Sequence, residues 1–521
     1  MPQNHRKVRA KDNRSQDPNR REVLIGTTAA GLVNLMQVAY SRAAPAPPAS
    51  VPRTKLPETI ADAGRQFRDG SLSSLRLTQA YLSCIERFEP KLNAFISLLK
   101  DQAFESAQQR DQELSSGRDR GPLHGIPVVV KDIYDMVGAI TTVGSKAFRD
   151  RKTEQDATAV KQLKNAGAVV LGKTNMNEFA AGVSGTNAEF GDVHNPWMLE
   201  RSPGGSSSGT GALLAAGACL GGTGTDTGGS IRIPASWCGI TGIRPSSGLV
   251  SLSGVFPRSH NLDVAGPLAR NVADLAYLLD AMAGFDPSDP HSSLAQPRES
   301  YTHELDRGVS GLTFAVVKNY TFRDVEPAVA EAMHRAVETF GRLNAKLIEI
   351  EVPPLEGQLD YGKLFNNVLL YEFNQILGDR YRSTPNARNL YGPIVQDNIA
   401  VGSRVARQDY EEIMQERSAV IAQVKSAFKR VDALLTPALP TVALLLKASA
   451  QDYARGRQFT IPFSYTALPC LVVPCGFGPE GLPIGMQIVG DHFQEALLLR
   501  IGAAFEGATS FHKQHPPIYC T

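Results

Sequence analysis

Along most of the chain, segments whose apolar residues have helical spacing alternate with short, continuous apolar runs. Residues 74–88 place their apolar side chains on one side of a helix, with Ser74 as a candidate N-cap, and 94–99 resemble a buried strand. The same two patterns return downstream. They predict strands over 126–130, 168–171, 313–317, 346–352, 434–435, 470–473 and 484–489, and helices over 157–166, 326–344, 410–429 and 494–506.

This alternation predicts an α/β fold class with a large, mostly parallel, twisted mixed sheet covered by helices on both faces. No linker divides residues 55–521, so we expect a single large domain there. The aromatic stretch 355–410 has no regular pattern. Two interpretations of it stay open, namely ordinary packing and the wall or lid of a pocket.

The N-terminal residues have the pattern of an export signal. Residues 1–46 hold eight basic and three acidic side chains, include Arg20-Arg21, and continue into a mildly apolar run that ends near Tyr40. This order resembles a twin-arginine signal followed by a linker over 47–54. We therefore expect an exported, periplasmic or secreted protein with no stable membrane span after processing.

Charge and cysteine usage narrow the class of partners. The formal net charge of +2 comes from the basic N-terminal segment, so the rest of the chain is close to neutral and carries no basic stripe for nucleic acid. The six cysteines are spread over the chain without a C-x-x-C pair, which indicates core residues rather than a disulfide framework or metal ligands. We expect no nucleic acid partner, no metal and no organic cofactor.

Two clusters of glycine and serine flank a helix-compatible stretch of small residues. Gly204-Gly205-Ser206-Ser207-Ser208-Gly209 precedes it, and Gly228-Gly229-Ser230 follows it. Glycines let successive backbone N–H groups turn into one concavity, which is what an oxyanion hole requires. A serine here needs a base, and Lys131 is the candidate, since a lysine at the end of a buried strand has a lowered pKa.

These stretches together resemble the amidase signature family. The matching segments are GIPVVVKD at 125–132, GKTNMNEFA at 172–180, NPW at 195–197, SPGGSSSG at 202–209 and GTDTGGSIRIPASWCGITGIRPS at 224–246. The resemblance extends over nearly all of residues 55–510. It implies the fold of that family and hydrolysis of carboxamide C–N bonds, with esters, aryl amides or carbamates as further substrates.

The resemblance also implies roles for individual residues. Ser230 matches the nucleophile that forms the acyl-enzyme, Ser206 the bridging serine held by a cis peptide bond, and Lys131 the base. The backbone amides of Thr227, Gly228, Gly229 and Ser230 match the oxyanion hole. Supporting positions around these groups are Ser207, Asp226, Arg232 and Asp132, the last of which either orients Lys131 or only solvates a strand end.

Three alternatives stay open. Residues 205–209 also fit the G-x-S-x-G nucleophile elbow, with Ser207 as nucleophile, but that motif needs a strand before it. The A subunit of the tRNA-dependent amidotransferase resembles the same motifs and works in the cytoplasm with partner subunits, although Ile233 stands where we expect glutamine in that protein. A non-catalytic binding protein on the same fold is the third. The amide substrate and the oligomeric state are not predicted.

Overall fold

All eight strands predicted from the apolar runs are present in the computed structural model, which describes residues 56–294 and 300–520. Within these ranges eleven strands form one sheet. The strands are β1 Phe95–Leu98, β2 Pro127–Lys131, β3 Val169–Thr174, β4 Gly221–Thr225, β5 Thr241–Arg244, β6 Ala265–Ala269, β7 Thr313–Val317, β8 Lys346–Ile350, β9 Ala433–Pro437, β10 Cys470–Phe477 and β11 Pro483–Val489.

Helices connect these strands and pack against the sheet. The five predicted helices are present, and Ser73 rather than Ser74 caps the second helix, since its side chain accepts from the N–H of Arg76. The helices are α1 Ile60–Arg68, α2 Ser74–Leu92, α3 Lys100–Ser115, α4 Thr158–Asn165, α5 Ser208–Ala215, α6 Arg232–Cys238, α7 Val272–Met282, α8 Pro327–Arg342, α9 Tyr361–Ser383, α10 Ala387–Leu390, α11 Pro393–Gly402, α12 Arg407–Lys425, α13 Ala450–Arg455, α14 Ile461–Tyr465 and α15 Glu495–Ala508.

The sheet has the order β1-β3-β2-β4-β6-β5-β10-β11-β9-β7-β8, which confirms the α/β fold class with a mixed sheet. Parallel pairing joins β2 to β3 and β4, and β7 to β8 and β9. The other six described pairs are antiparallel. The parallel share is therefore smaller than the alternation predicts, because the centre of the sheet is built from β4, β6, β5, β10 and β11 without a helical crossover between every pair.

The aromatic stretch 355–410 is mostly helical. It contains α9, α10 and α11, and α9 buries Phe365 and Phe373 while its other side is polar. The aromatic residues on α9 are buried or half-buried and lie on more than one side of the helix, so their spacing in the sequence does not show a helical period. This segment places α9 and α11 next to each other over the sheet.

The cysteines are not all unpaired core residues. Cys84 in α2 and Cys520 near the C-terminus form a disulfide, and Cys219, Cys238, Cys470 and Cys475 are free and buried. A sequence separation of 436 residues gives no local pattern from which this pairing could be predicted. No helix within the described residues has the length and apolar character to span a membrane. The predicted export signal over 1–46 and linker over 47–54 lie outside those residues.

Candidate active site

The site begins where two neighbouring parallel strands end. Val128 and Val129 of β2 pair with Gly221 and Gly222 of β4, so the carboxyl ends of both strands reach the same edge of the sheet. This edge is where ligands bind in open α/β sheets. β2 ends at Lys131, and β4 leads through Thr225 into the glycine loop that precedes α6.

Lys131 lies fully buried between the two glycine-serine segments. Its Nζ donates to the hydroxyl of Ser206 at 2.8 Å and to the hydroxyl of Thr225 at 2.8 Å. Burial lowers the pKa of Lys131 to about 7, although the negative charges of Asp263 and Asp226 oppose that shift. A substantial fraction of the amine is therefore neutral near pH 7 and can accept a proton along the contact with Ser206.

Ser206 follows a cis peptide bond from Gly205, as the family resemblance implies. Gly205 must be a glycine, since an added Cβ would lie 2.2 Å from the side-chain oxygen of Asn177. Ser207 lies next to the second loop, because its N–H donates to the carbonyl of Ser230 at 3.3 Å and its hydroxyl accepts from the N–H of Thr225 at 3.4 Å. The two segments are thus held against each other around Lys131.

Ser230 faces a pocket. The pocket has a volume of about 600 Å³, and Thr227 and Gly228 line it together with Ser230. The hydroxyl of Ser230 makes no hydrogen bond to another described residue, so the hydrogen bond to Ser206 that a proton relay needs is not formed in this structure. Catalytic hydrogen bonds are often open in unliganded enzymes.

Two segments contribute most of the remaining pocket lining, to which Arg258 and residues 450–457 also belong. Residues 180–184 contribute Ala180, Gly182, Val183 and Ser184, and the helical segment contributes Phe365, Asn366, Leu369 and Leu370 from α9 and Pro393, Ile394, Asp397 and Asn398 from α11. Both interpretations of the aromatic stretch therefore apply in part: its helices line the pocket, while most of its aromatic rings pack against other rings.

The backbone amides of the second loop are divided between two tasks. The N–H of Gly229 donates to the carboxylate of Asp226 at 2.8 Å. It is therefore not available as an oxyanion donor, although the family resemblance implies that role for it. The N–H groups of Thr227, Gly228 and Ser230 have no acceptor among the described residues. Three amides remain for an oxyanion hole, and the fourth holds the loop in place.

Asp226 holds the second loop in place through a buried network of ion pairs. It contacts Arg232 at 3.0 Å and Arg244 at 3.3 Å, and these guanidinium groups hold the pKa of its carboxyl far below the usual range in spite of burial. Arg232 also donates to Gln487 at 2.7 Å and to Ser464 at 2.6 Å. Asp226 and Arg232 therefore lie where the sequence predicts supporting residues, and Arg244 joins them without having been predicted.

Asp132 does not orient Lys131. Its carboxylate forms a fully buried ion pair with Lys173 at 3.0 Å and accepts from the N–H of Thr142 at 2.9 Å. Asp132 follows the last residue of β2, and its carboxylate lies against the end of β3, where Lys173 stands. The base candidate Lys131 is thus left with hydroxyl partners only, and the role of Asp132 beside it is corrected to a structural one.

Sequence reasoning missed Thr225, Lys173 and Asp263. Thr225 lies one position before the quoted Asp226, and only its contact with Lys131 shows its importance. Asp263 accepts from the hydroxyl of Thr227 at 2.5 Å. This hydrogen bond connects the second loop to the segment before β6. No motif in the sequence marks it.

The nucleophile elbow is not formed. No strand lies directly before Ser207 in the described structure, and Ser207 is buried and does not itself line the pocket. Among the described residues, no group of three or more His, Cys, Asp and Glu side chains could hold a metal ion.

The mixed eleven-stranded sheet, Lys131 at the end of β2 and the two glycine-serine segments beside it define an enzyme of the amidase signature class. The chain belongs to the amidase family, since the profile of the family described as Amidase matches residues 76–499. The peptide amidase from Stenotrophomonas maltophilia superposes with a TM-score of 0.79 at 31% identity, over 89% of this chain and 99% of that chain. A bacterial aryl acylamidase gives a TM-score of 0.80 at 25% identity, over 87% and 97%.

Curated relatives carry a different description. The A subunit of the glutamyl-tRNA(Gln) amidotransferase of Hahella chejuensis is 38% identical over 484 residues, which are 89% of this chain and 99% of that protein. The corresponding protein of Desulfatibacillum aliphaticivorans is 36% identical over 88% and 98%. These proteins are subunits of an assembly, whereas the sequence predicts only a small-molecule amide as partner.

The prediction of an exported, periplasmic or secreted protein is contradicted by these relatives. They are A subunits of the amidotransferase. Among the sequence-based hypotheses, this cytoplasmic protein is the alternative to an exported hydrolase. The twin-arginine pattern on which the export prediction depends lies outside the described residues. It is a short motif in a basic segment, and such a pattern also occurs by chance.

Proposed function

We propose that the chain hydrolyses the C–N bond of carboxamides through an acyl-enzyme on Ser230. The observation that carries this proposal is the 2.8 Å contact between Nζ of Lys131 and Oγ of Ser206, beside the pocket that Ser230 lines. A buried amine of which a substantial fraction is neutral near pH 7 is a suitable base for a serine hydroxyl. The match of the family profile over residues 76–499 supports the same chemistry.

The proposed cycle uses Lys131, Ser206 and Ser230 as a proton relay. Neutral Lys131 takes the proton of Ser206 while Ser206 takes the proton of Ser230, whose oxygen attacks the amide carbonyl. Negative charge develops on the carbonyl oxygen and is stabilised by the free amides of the loop. The relay returns the proton to the departing nitrogen, which leaves as ammonia or an amine, and water then hydrolyses the ester to the acid.

The test uses the full chain on a panel of primary aliphatic amides, glutamine, anilides, peptide amides and carbamates. We expect turnover of at least one class and loss of turnover by a factor of about 10³ or more in Ser230→Ala. A fluorophosphonate probe should label Ser230, as read by mass spectrometry of the peptide that contains it. Turnover that survives Ser230→Ala would rule out this nucleophile.

A second candidate keeps the chemistry and changes the destination of the ammonia. In this candidate the chain is the A subunit of an amidotransferase and releases ammonia from an amide for a partner. Identities of 35–38% to such subunits over nearly their full length favour it. Replacing the A subunit of the Hahella chejuensis enzyme with this chain tests it: amidation of the glutamylated tRNA supports the amidotransferase role, and hydrolysis by the isolated chain without amidation supports the independent hydrolase.

A further inference from the structure

The pocket beside Ser230 contains an arginine, Arg258, whose guanidinium lacks a hydrogen-bond acceptor among the described residues. The side chain of Arg258 is buried, with the residue only 3% exposed, and it lines the pocket. Its Nε and Nη1 are shielded from solvent and have no hydrogen-bond partner among the described residues. A buried guanidinium without an acceptor is unfavourable, and such a group is retained where a ligand supplies the acceptor.

The neighbours of Arg258 hold it in place without neutralising it. Its guanidinium lies over the ring of Phe373 at 3.7 Å from the ring centroid. Asp263 is the nearby carboxylate, but its oxygens accept from the backbone N–H groups of Arg258 and Ser259 and from the hydroxyl of Thr227. No ion pair forms between Asp263 and the guanidinium, so the positive charge remains directed to the pocket.

A second cation faces the same space. Arg457 lines the pocket, and its guanidinium forms no hydrogen bond or ion pair with another described residue. Burial lowers the pKa of Arg258 to about 9. The negative charge of Asp263 opposes this shift, and the positive charge of Arg457 adds to it. Arg258 therefore stays charged at neutral pH. The third charged residue of the lining, Asp397, is exposed on α11 at the rim.

We propose that Arg258, with Arg457 as a second cation, binds a carboxylate of the substrate, so that the enzyme acts on amides which also carry a carboxylate. This inference rests on the proposed hydrolysis at Ser230 and names the class of its substrate. The planar guanidinium presents its N–H groups in a fork that suits a carboxylate. Neutral amides of the same shape leave Arg258 buried without an acceptor and are bound less well.

Matched pairs of substrates test the proposal. Succinamate and glutaramate place a carboxylate where butyramide and pentanamide have a methyl group, and N-acetylglycine and N-ethylacetamide make the same comparison on the amine side. We expect the full chain to prefer the anionic member of at least one pair by about tenfold or more in kcat/KM. Equal or better turnover of the neutral member in all pairs overturns the proposal.

Variants then assign the preference to Arg258. Arg258→Met should lower kcat/KM for the anionic substrate by about 30-fold, mainly through KM, and change the neutral substrate less than about threefold. Arg258→Lys should keep more of the anionic preference, because it keeps the charge. Arg407→Met, on an exposed arginine of α12 outside the pocket, is the matched control. An equal loss for both substrates in Arg258→Met, with Arg258→Lys no better, contradicts the proposal.

A binding measurement separates this proposal from the proposed function. Succinate and glutarate are titrated into Ser230→Ala and into Ser230→Ala combined with Arg258→Met, with calorimetry as the readout. Binding that is lost in the double variant supports the carboxylate site even if no amide on the panel is cleaved. Absence of binding to Ser230→Ala, together with absence of an anionic preference, overturns it.

Discussion

Two buried lysines on adjacent strands differ in their partners, and that difference distinguishes the proposed base from a lysine held in an ion pair. Lys173 of β3 pairs with the carboxylate of Asp132, while Lys131 of β2 contacts the hydroxyls of Ser206 and Thr225. A carboxylate stabilises the ammonium form and a hydroxyl does so far less. Burial lowers the pKa of both amines, but Lys131 is the one that contacts the hydroxyl of Ser206, so it is the amine placed to act as the base.

The pH dependence of hydrolysis should report this amine. Because burial lowers the pKa of Lys131 to about 7 and the neutral form is the base, kcat/KM should rise as the pH increases through about 7. Asp263 and Asp226 raise this pKa, so Asp263→Asn should move the rising limb to lower pH. Initial rates between pH 5 and 9 measure both effects. A profile that is flat from pH 6 to 8 would exclude Lys131 as the base.

The buried carboxylate of Asp226 should contribute strongly to stability. Asp226→Asn leaves Arg232 and Arg244 buried without their counter-ion, and we expect the free energy of unfolding to fall by about 3–5 kcal/mol. Urea unfolding followed by circular dichroism measures this change. The matched control is Glu411→Gln, which breaks the exposed pair with Arg407 and should cost less than about 1 kcal/mol. Similar losses in the two variants would contradict a stabilising role for the buried network.

At the scale of elements, the close approach of α5 to β4 holds the serine segment over Lys131. Both elements are built from small residues, and an added Cβ at Gly222 would lie 2.6 Å from Cγ2 of Thr210 and 2.8 Å from Cγ2 of Val129. α5 begins two residues after Ser206, so a shift of this helix moves the relay. Glycine is thus required here for packing rather than for an unusual backbone angle.

Gly222→Val should therefore be destabilising. We expect a decrease of about 1–3 kcal/mol in the free energy of unfolding from overpacking, together with a loss of activity greater than the loss of folded protein. Thermal unfolding and the specific activity of the folded fraction are the measurements. Gly507→Ala is the control, because Gly507 lies in α15 with open space around it, and alanine there should stabilise by about 0.5–1 kcal/mol. A neutral Gly222→Val would show that α5 can move freely.

At the scale of the whole molecule, the sequence predicts those features of the fold and the site that depend on local patterns of residues. Apolar runs predicted eight of the eleven described strands, and the glycine-serine segments pointed to the place where Lys131, Ser206 and Ser230 lie. The short strands β4, β5 and β6 were not predicted. The partner of Asp132, the engagement of the Gly229 amide and the positions of Thr225 and Arg258 depend on contacts between distant segments. Such contacts leave no periodic trace in one sequence, and the same is true of the order in which antiparallel strands join the sheet.

The disulfide between Cys84 and Cys520 is another long-range contact, and it ties α2 to the end of the chain. A cross-link over 436 residues restricts the unfolded chain, so Cys84→Ser combined with Cys520→Ser should lower the free energy of unfolding by about 2–5 kcal/mol. Activity at low temperature should persist, because neither cysteine lines the pocket.

Thiol titration and reduction provide the measurement. Denatured protein should show four thiols before reduction and six after it, since the other four cysteines are free. A reductant should lower the Tm of the parent chain and leave the Tm of the double variant unchanged. Six thiols without reduction would show that the pair is not oxidised, and the two proteins should then respond equally to the reductant. The stability of the C-terminal region would in that case come from packing alone.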